Sequence, residues 1–343
     1  MPIVGLNLGK SSIRAVELER KKDILTLTNF GSYDNPRLNL ESFAKNDVDS
    51  FAESLKAFFS EVGFSTANVA VGLNESNVFM RVIKLPAMSD KELKTAVKYE
   101  AEQYIPLPLD QVNLSFQRLD PDYTEKEKVN IQVVAARKDV LDSQVAVLKK
   151  SGLVVKAIEP ETLALGRVLG DTKEAPLGTM ILKIGYSGTL IIVVYGGYVR
   201  FTRSVPVGGD ALTKAIQQGL GLEQEQAEEY KKAYGMDKFQ GEGKVYDVLK
   251  PIVENLILEI KRASVFFTKH NPSANIKRVI LAGGAALMPG LLLYIANNLD
   301  IEVQMADPLK GLEISPKLEK QQNLIIEQAP RYATAIGLAL REI

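Results

Sequence analysis

Apolar and β-branched residues open the chain in alternating runs. Residues 2 to 33 carry three such runs around the polar turn Arg20-Lys21-Lys22-Asp23, which predicts three strands. From Asp47 to Val62 the apolar positions Phe51, Leu55, Phe58 and Phe59 recur at helical spacing, and Val69 to Leu73 predicts another strand. Ser89 and Glu92 form an S-x-x-E capping box that opens a helix with Leu93, Ala96, Val97, Ala101 and Tyr104 on one side; Pro106 and Pro108 stop it. Strands are expected at Val112 to Leu119 and Val129 to Ala136, joined by the charged loop Asp120 to Lys128. A helix from Asp139 to Ser151 and a strand from Leu153 to Ile158 follow. This helix–strand–strand–helix–strand pattern is compact enough to be an inserted subdomain.

The pattern then restarts. Asp171 to Gly178, with Lys173-Glu174-Ala175-Pro176, reads as a linker between two halves. Strands are predicted at Thr179 to Ile184, Thr189 to Tyr195 and Tyr198 to Val205, the last two joined by Gly196-Gly197, a turn that permits positive φ twice. Gly208-Gly209-Asp210 opens a helix, and a long helix around Val253 to Phe267 presents Val253, Leu256, Ile257, Ile260, Ala263 and Phe267 on one face. Val279 to Ala282 is a strand that runs into Gly283-Gly284, and Tyr332 to Arg341 is a helix of small residues. Both halves thus begin with strand, glycine loop, strand, strand, helix.

The two glycine loops carry the candidate chemistry. They are Asn7-Leu8-Gly9-Lys10-Ser11-Ser12 and Lys183-Ile184-Gly185-Tyr186-Ser187-Gly188-Thr189. A glycine at such a turn can take positive φ and leaves backbone N–H groups bare, which suits a phosphate. Each loop alone reads equally as a plain hairpin turn, and Gly283-Gly284 alone as a tight strand-to-helix turn. The Walker-type G-x-x-x-x-G-K-[ST] loop is absent, which excludes the P-loop ATPases.

Composition narrows the classes further. At 343 residues the chain is long enough for two cores, and 42 basic residues against 42 acidic ones give no reason to expect nucleic acid. With no cysteine there is no disulfide or thiolate metal site, which fits a reducing cytosol. The single histidine, His270, follows a helical run and precedes Asn271-Pro272, a helix C-terminal position rather than a catalytic one. No apolar stretch reaches the roughly 18–20 residues that span a bilayer, and the N-terminus lacks a signal-peptide layout. A soluble protein is expected.

Leu281-Ala282-Gly283-Gly284-Ala285-Ala286-Leu287-Met288-Pro289-Gly290-Leu291 resembles the adenosine motif of the actin superfamily, and the paired loops resemble that superfamily's phosphate clamps. The resemblance sharpens to the PilM family of type IV pilus assembly proteins, which is FtsA-like. Leu85-Pro86-Ala87-Met88-Ser89-Asp90-Lys91-Glu92-Leu93 and Tyr99-Glu100-Ala101-Glu102-Gln103-Tyr104-Ile105-Pro106-Leu107-Pro108 are similar to its inserted subdomain. So are, further on, Phe201-Thr202-Arg203, Val207-Gly208-Gly209-Asp210, Ala227-Glu228-Glu229-Tyr230-Lys231-Lys232-Ala233-Tyr234-Gly235, Ala306-Asp307-Pro308-Leu309-Lys310-Gly311-Leu312 and Arg331-Tyr332-Ala333-Thr334-Ala335-Ile336-Gly337-Leu338-Ala339 to later family segments.

The resemblance implies an α/β, actin-like (ribonuclease H-like) duplicated fold with an inserted α+β subdomain. The first half is expected at 1–77 with 159–175 and the C-terminal helix 330–343, the insert at 78–158, the second half at 176–218 and 276–329, and a helical subdomain at 219–275. It implies an ATP or ADP site with Asn7, Gly9, Lys10, Ser11, Ser12, Lys183, Gly185, Tyr186, Ser187, Gly188, Thr189, Gly209, Gly283, Gly284, Ala285 and Met288, and with Glu228 and Lys231 on the ribose and adenine side. The glycines of both loops are expected to line one cleft. Family members commonly hold aspartates where Asn7 and Lys183 stand. Loss of both acids argues against a bound Mg²⁺ and against efficient hydrolysis, and Tyr186 crowds the phosphate pocket.

The expected function is therefore an adaptor at the cytoplasmic face of the inner membrane. It would hold the N-terminal tail of the membrane protein PilN in a groove near Val82, Leu85, Tyr104 and Ile105, among other pilus assembly components and without nucleic acid. The competing readings are an active Mg-ATPase of the same fold and a platform protein like GspL of type II secretion, which continues into a transmembrane helix where this chain ends at Arg341-Glu342-Ile343.

Overall fold

The structure, a computed structural model, describes residues 2–34, 45–119, 128–172, 176–271 and 274–341. The expected loop at 120–127, the linker core Lys173-Glu174-Ala175, Pro272, and the last two residues lie outside them. The chain divides into two compact units, Met1–Arg167 with Leu309–Asn323 and Thr334–Ile343, and Val168–Pro308 with Leu324–Ala333.

The first unit contains β1 (Ile3–Leu8), β2 (Ser12–Lys21), β3 (Ile24–Asp34), α1 (Lys45–Val62), β4 (Asn68–Leu73), β5 (Val78–Pro86), α2 (Asp90–Glu102), β6 (Val112–Leu119), β7 (Lys128–Arg137), α3 (Lys138–Lys150) and β8 (Val154–Pro160), then runs into α4 (Glu161–Leu169). The second contains β9 (Thr179–Ile184), β10 (Thr189–Tyr195), β11 (Tyr198–Val205), α5 (Gly209–Leu220), α6 (Gln224–Ala233), α7 (Lys244–His270), β12 (Arg278–Ala282), α8 (Leu291–Ala296) and β13 (Glu302–Met305). The chain closes with β14 (Glu313–Ile314) in the first unit and α9 (Gln322–Ala339), whose residues are divided between the two.

The two main sheets repeat one topology. In the first, the order is β14-β3-β2-β1-β4-β8; in the second it is β11-β10-β9-β12-β13. Each begins as an antiparallel meander of three strands, and each then adds two parallel strands on the far side of its first strand. The first strands, β1 and β9, are central and buried on both faces, so they read as nearly continuous apolar runs. Gly196 and Gly197 both take positive φ, 61° and 77°, and close the β10–β11 hairpin at Tyr195↔Tyr198 as expected.

Each sheet buries its own core. Leu6, Ile13, Val71, Leu55 of α1 and Leu148 of α3 form the first. In the second, α7 lays Val253, Leu256, Ile257, Ile260, Ala263 and Phe267 against Met180, Leu182 and Ile191.

A separate three-stranded antiparallel sheet, β5-β7-β6, packs Ile83, Leu85, Ile131 and Val133 against Leu93 and Val97 of α2. Ser89 caps α2 with the expected box. The sequence pattern places residues 78–158 in one insert, but the structure divides them. β8 pairs in parallel with β4 in the six-stranded sheet, and α3 contributes Val147 and Leu148 to its core, so the separate layer covers only 78–137. Local pattern could not assign α3 and β8, because their partners lie about 80 residues earlier.

The terminal helix starts at Gln322, ten residues before the predicted boundary, and contains Pro330. Its end packs on backbone. A Cβ on Gly5 of β1 would stand 1.9 Å from the Ala335 carbonyl oxygen, and one on Gly337 would stand 2.1 Å from that of Ala164 in α4. Among the described residues no helix is long and apolar enough to cross a membrane.

Candidate functional site

In the first unit the candidate residues sit at the β1–β2 turn. Leu8 pairs with Ile13, and the Gly9 amide donates to the Ser12 carbonyl at 3.0 Å. The turn does not use positive φ at Gly9. Glycine is required by contact instead, since a Cβ there would stand 2.7 Å from the Ser12 carbonyl oxygen. Lys10 is exposed, and Ser11 is half-buried. Asn7 and Ser12 are buried, and neither Asn7 Oδ1 nor Ser12 Oγ has a hydrogen-bond partner among the described residues. Buried polar atoms are normally satisfied, so this pair points to a polar ligand or water at the turn.

A carboxylate side chain that the sequence pattern did not single out borders the same space as Asn7. Gly72, at the end of β4, leaves a space whose Cβ position lies 3.6 Å from Asn7 Oδ1 and 3.4 Å from Glu161 Cγ. Glu161 is 2 % exposed in the first turn of α4, and its neighbour Thr162 donates to Glu75 at 3.3 Å. The Glu159-Pro160-Glu161 run at the strand end was its only trace in the sequence. Glu159 itself is taken by Arg167 and Arg341.

In the second unit three segments converge at the C-terminal ends of the parallel strands β9 and β12. The Gly185 amide donates to the Gly188 carbonyl at 2.9 Å, the same closure as in the first loop. Gly185 does not take positive φ either. Gly283, which follows β12, does, with φ 91°, and a Cβ on it would stand 2.5 Å from the Ile184 carbonyl oxygen. Gly284 leads into a short 3-10 turn, Ala285–Leu287, and Met288 is buried behind it. Lys183 is half-buried in register with Leu190 and Ala282, and Thr189 is fully buried, its hydroxyl donating to the Val207 carbonyl.

The start of α5 is clamped onto the second loop. The Gly209 and Asp210 amides donate to the carbonyls of Gly185 and Tyr186, both at 2.9 Å. Tyr186 does not plug the loop. It is 44 % exposed, and its hydroxyl donates to Asp210 Oδ1 at 3.0 Å. Burial and the neighbouring Asp210 raise the Tyr186 hydroxyl pKa. Burial also opposes ionisation of Asp210, but hydrogen bonds from Lys214 and Tyr186 outweigh it and hold that carboxyl below its ordinary value.

Lys231 and Glu228 of α6 meet α5 at the same place. Lys231, 7 % exposed, donates to the Gly209 carbonyl at 3.1 Å, to Thr213 Oγ1 at 2.7 Å and to Glu228 Oε2. All three ammonium protons are thereby engaged, and the lysine acts here as a strut. Partial burial works against the Glu228 carboxylate, yet bonds from Lys231 and Thr213 lower its pKa overall. The structure thus brings Gly185, Gly209, Glu228, Lys231, Gly283 and Ala285 into one neighbourhood within this unit; Ala285 Cβ lies 3.7 Å from where a Gly209 Cβ would be.

The four residues expected to line a partner groove are dispersed. Leu85 and Ile105 are core residues of the three-stranded layer. Val82 lies on the opposite face of β5 from Leu85, because side chains alternate along a strand. Tyr104 is half-buried under the Arg81 guanidinium, 4.0 Å from the ring centroid, and donates to Glu100 at 3.0 Å. Its hydroxyl pKa is raised by that bond. His270 is the last residue of α7, with Nδ1 2.8 Å from the Phe266 carbonyl oxygen.

This arrangement has known counterparts. The cell division protein FtsA of Bacillus subtilis (strain 168) is 23 % identical over 376 residues, covering 98 % of this chain and 82 % of FtsA. The solved PilM-PilN type IV pilus biogenesis complex contains a chain that superimposes with TM-score 0.85 at 27 % identity, covering 99 % of this chain and 98 % of that one. MreB5 of Spiroplasma citri, solved bound to AMPPNP, superimposes with TM-score 0.51 at 15 % identity over 96 % of this chain and 98 % of its own. The duplicated strand order is therefore that of the actin-like fold. A model of the family described as type IV pilus assembly protein PilM matches residues 5–343, and the chain belongs to that family.

Proposed function

We propose that the chain is a pilus-assembly adaptor that binds the N-terminal tail of PilN beside the three-stranded layer. The observation that carries this is the end-to-end likeness to a chain solved in the PilM-PilN complex. β5 supports it: among the described residues it pairs only with β7, an edge position to which an extended segment can be added. Bound there, the protein would work at the cytoplasmic face of the inner membrane through its partner. The layer that acts as the insert in this proposal is residues 78–137. Calorimetric titration of a PilN N-terminal peptide into the full chain tests it. Val82→Glu, on one face of β5, and Tyr104→Ala, which removes the ring under Arg81 on the other, should separate the faces, one variant weakening binding roughly tenfold or more, about 1.4 kcal/mol. Unchanged affinity in both would reject the groove.

The second part of the proposal is ATP or ADP binding without efficient turnover. The unsatisfied Asn7 Oδ1 and Ser12 Oγ fit a polar ligand at the first loop, and the Gly9, Lys10, Ser11 and Ser12 turn would take phosphate oxygens. In the second unit Gly185, Tyr186, Ser187, Gly188 and Thr189 would do the same, with Gly283, Gly284, Ala285, Met288 and the Gly209–Glu228–Lys231 cluster holding base and ribose. Bound nucleotide supplies a phosphoanhydride; the residues named bind and orient it. Denaturing the pure protein and assaying released nucleotide tests occupancy.

One observation supports the Mg-ATPase reading: the buried Glu161 side chain borders the same Gly72 space as Asn7 Oδ1, and a carboxylate there would orient water or a hydrated metal. Measurable steady-state hydrolysis that disappears in Glu161→Gln would establish that reading in place of the adaptor with a silent site.

A further inference from the structure

At the other end of β1 from the Gly9 turn, about 20 Å away at 3.3 Å per residue, the first unit holds a cavity of ≈ 410 Å³. Ile3, Leu18 and Leu25 give it apolar walls, and Arg20, Lys156 and Arg341 give it three cations; among the described residues no acidic side chain lines it. Its size is that of a small-ligand pocket.

Two irregularities of the sheet shape this cavity. Val155 pairs with Val69 and Ala157 with Ala70, so Lys156 is the extra residue of a β-bulge in β8. Glu17 pairs with Asn29 and Leu18 with Leu27, so Thr28 is the extra residue of a second bulge, opposite the cavity-lining Leu18. A bulge re-aims a side chain that regular pairing would point elsewhere.

The charges around the cavity are unbalanced. Arg341 shares the Glu159 carboxylate with Arg167, so two guanidiniums stand on one acid. Arg20 and Lys156 make no ion pair among the described residues, although they converge on the same cavity with Arg341. Cations gathered over an apolar wall repel one another until an anion joins them.

We propose that this cavity binds an anionic amphiphile, a phosphate or carboxylate head held by Arg20, Lys156 and Arg341 with an apolar body against Ile3, Leu18 and Leu25. Calorimetry with hexyl phosphate as probe tests it, with inorganic phosphate and hexanol as the head and the tail alone. One saturable site for hexyl phosphate is expected, at least tenfold tighter than either fragment. The double variant Arg20→Gln with Lys156→Gln alters two exposed side chains, should leave the thermal melt unchanged, and should lose at least tenfold in affinity. No saturable binding, or equal binding by the double variant, would overturn the proposal. Co-sedimentation with phosphatidylglycerol but not phosphatidylcholine vesicles, lost in the same variant, would identify a bilayer lipid as the source; hexyl phosphate binding without co-sedimentation would identify a soluble molecule.

Discussion

Glu17 has no exposed surface, yet its carboxylate accepts hydrogen bonds from the Ser65 amide at 2.9 Å, the Ser65 hydroxyl, Thr28 Oγ1 at 3.1 Å and Asn29 Nδ2 at 3.0 Å. These bonds hold the bulge at Thr28 and tie β2 to the turn after α1. Glu17→Ala strands several donors and should cost roughly 3 kcal/mol in urea unfolding, whereas Glu17→Gln should cost less because one carbonyl acceptor remains. Glu228 leads to a pH prediction. Its pKa is lower folded than unfolded, so it contributes stability above the ordinary glutamate value and loses that contribution as pH falls through the folded value. Glu228→Gln should therefore flatten the acid limb of the stability profile below about pH 4.5 and leave the alkaline limb unchanged, read by thermal melts across pH. At this scale the family motif made Glu228 and Lys231 legible. It did not show that Lys231 is saturated by its own neighbours, because a motif carries residue types and not bond counts. Glu161 was silent for a related reason: a glutamate after a proline is ordinary at a helix start, and only the space left by Gly72 sets it beside Asn7.

Strands and hairpins were legible because β-branched runs bounded by glycine turns encode them locally. β6, β9, β10 and β11 follow their predicted limits residue for residue. Short elements such as α8, β13 and β14 lack enough positions to show a period, and the membership of β8 depends on a distant partner. The start of α9 was obscured by Pro330, which suggests a boundary. The helix continues through it, and its carbonyl accepts the Gly283 amide at 2.9 Å. The close seat of α9 gives an element-scale prediction. Gly5→Ala adds a methyl where the Ala335 carbonyl already stands, so α9 must move off β1, at a cost of about 1–3 kcal/mol. The loss should appear as faster amide exchange in 335–339 as well as a lower melting temperature; unchanged exchange there would place the strain elsewhere.

For the molecule as a whole, the duplicated fold was legible in the repeated strand–loop–strand order, while the third layer's limits required the topology. Asn7 and Lys183 give the sharpest whole-protein prediction of the proposed nucleotide site. ATP affinity of the unmodified chain should change little when Mg²⁺ is chelated. Asn7→Asp combined with Lys183→Asp should make binding depend on Mg²⁺ by roughly tenfold or more, since carboxylates near phosphates repel the ligand without a metal between them. Strong Mg²⁺ dependence before any substitution would overturn this reading of Asn7 and Lys183. The division of α9 has a consequence for biosynthesis. Residues 324–333 complete one unit and 334–339 belong to the other, so one 18-residue helix supplies a completing piece to both during synthesis. Until then Ala70 and Ala164 lack Leu338, and the Gly283 amide lacks its acceptor. A nascent chain that has not yet docked this helix exposes both sites at once, the kind of partly folded state on which chaperones and proteases act.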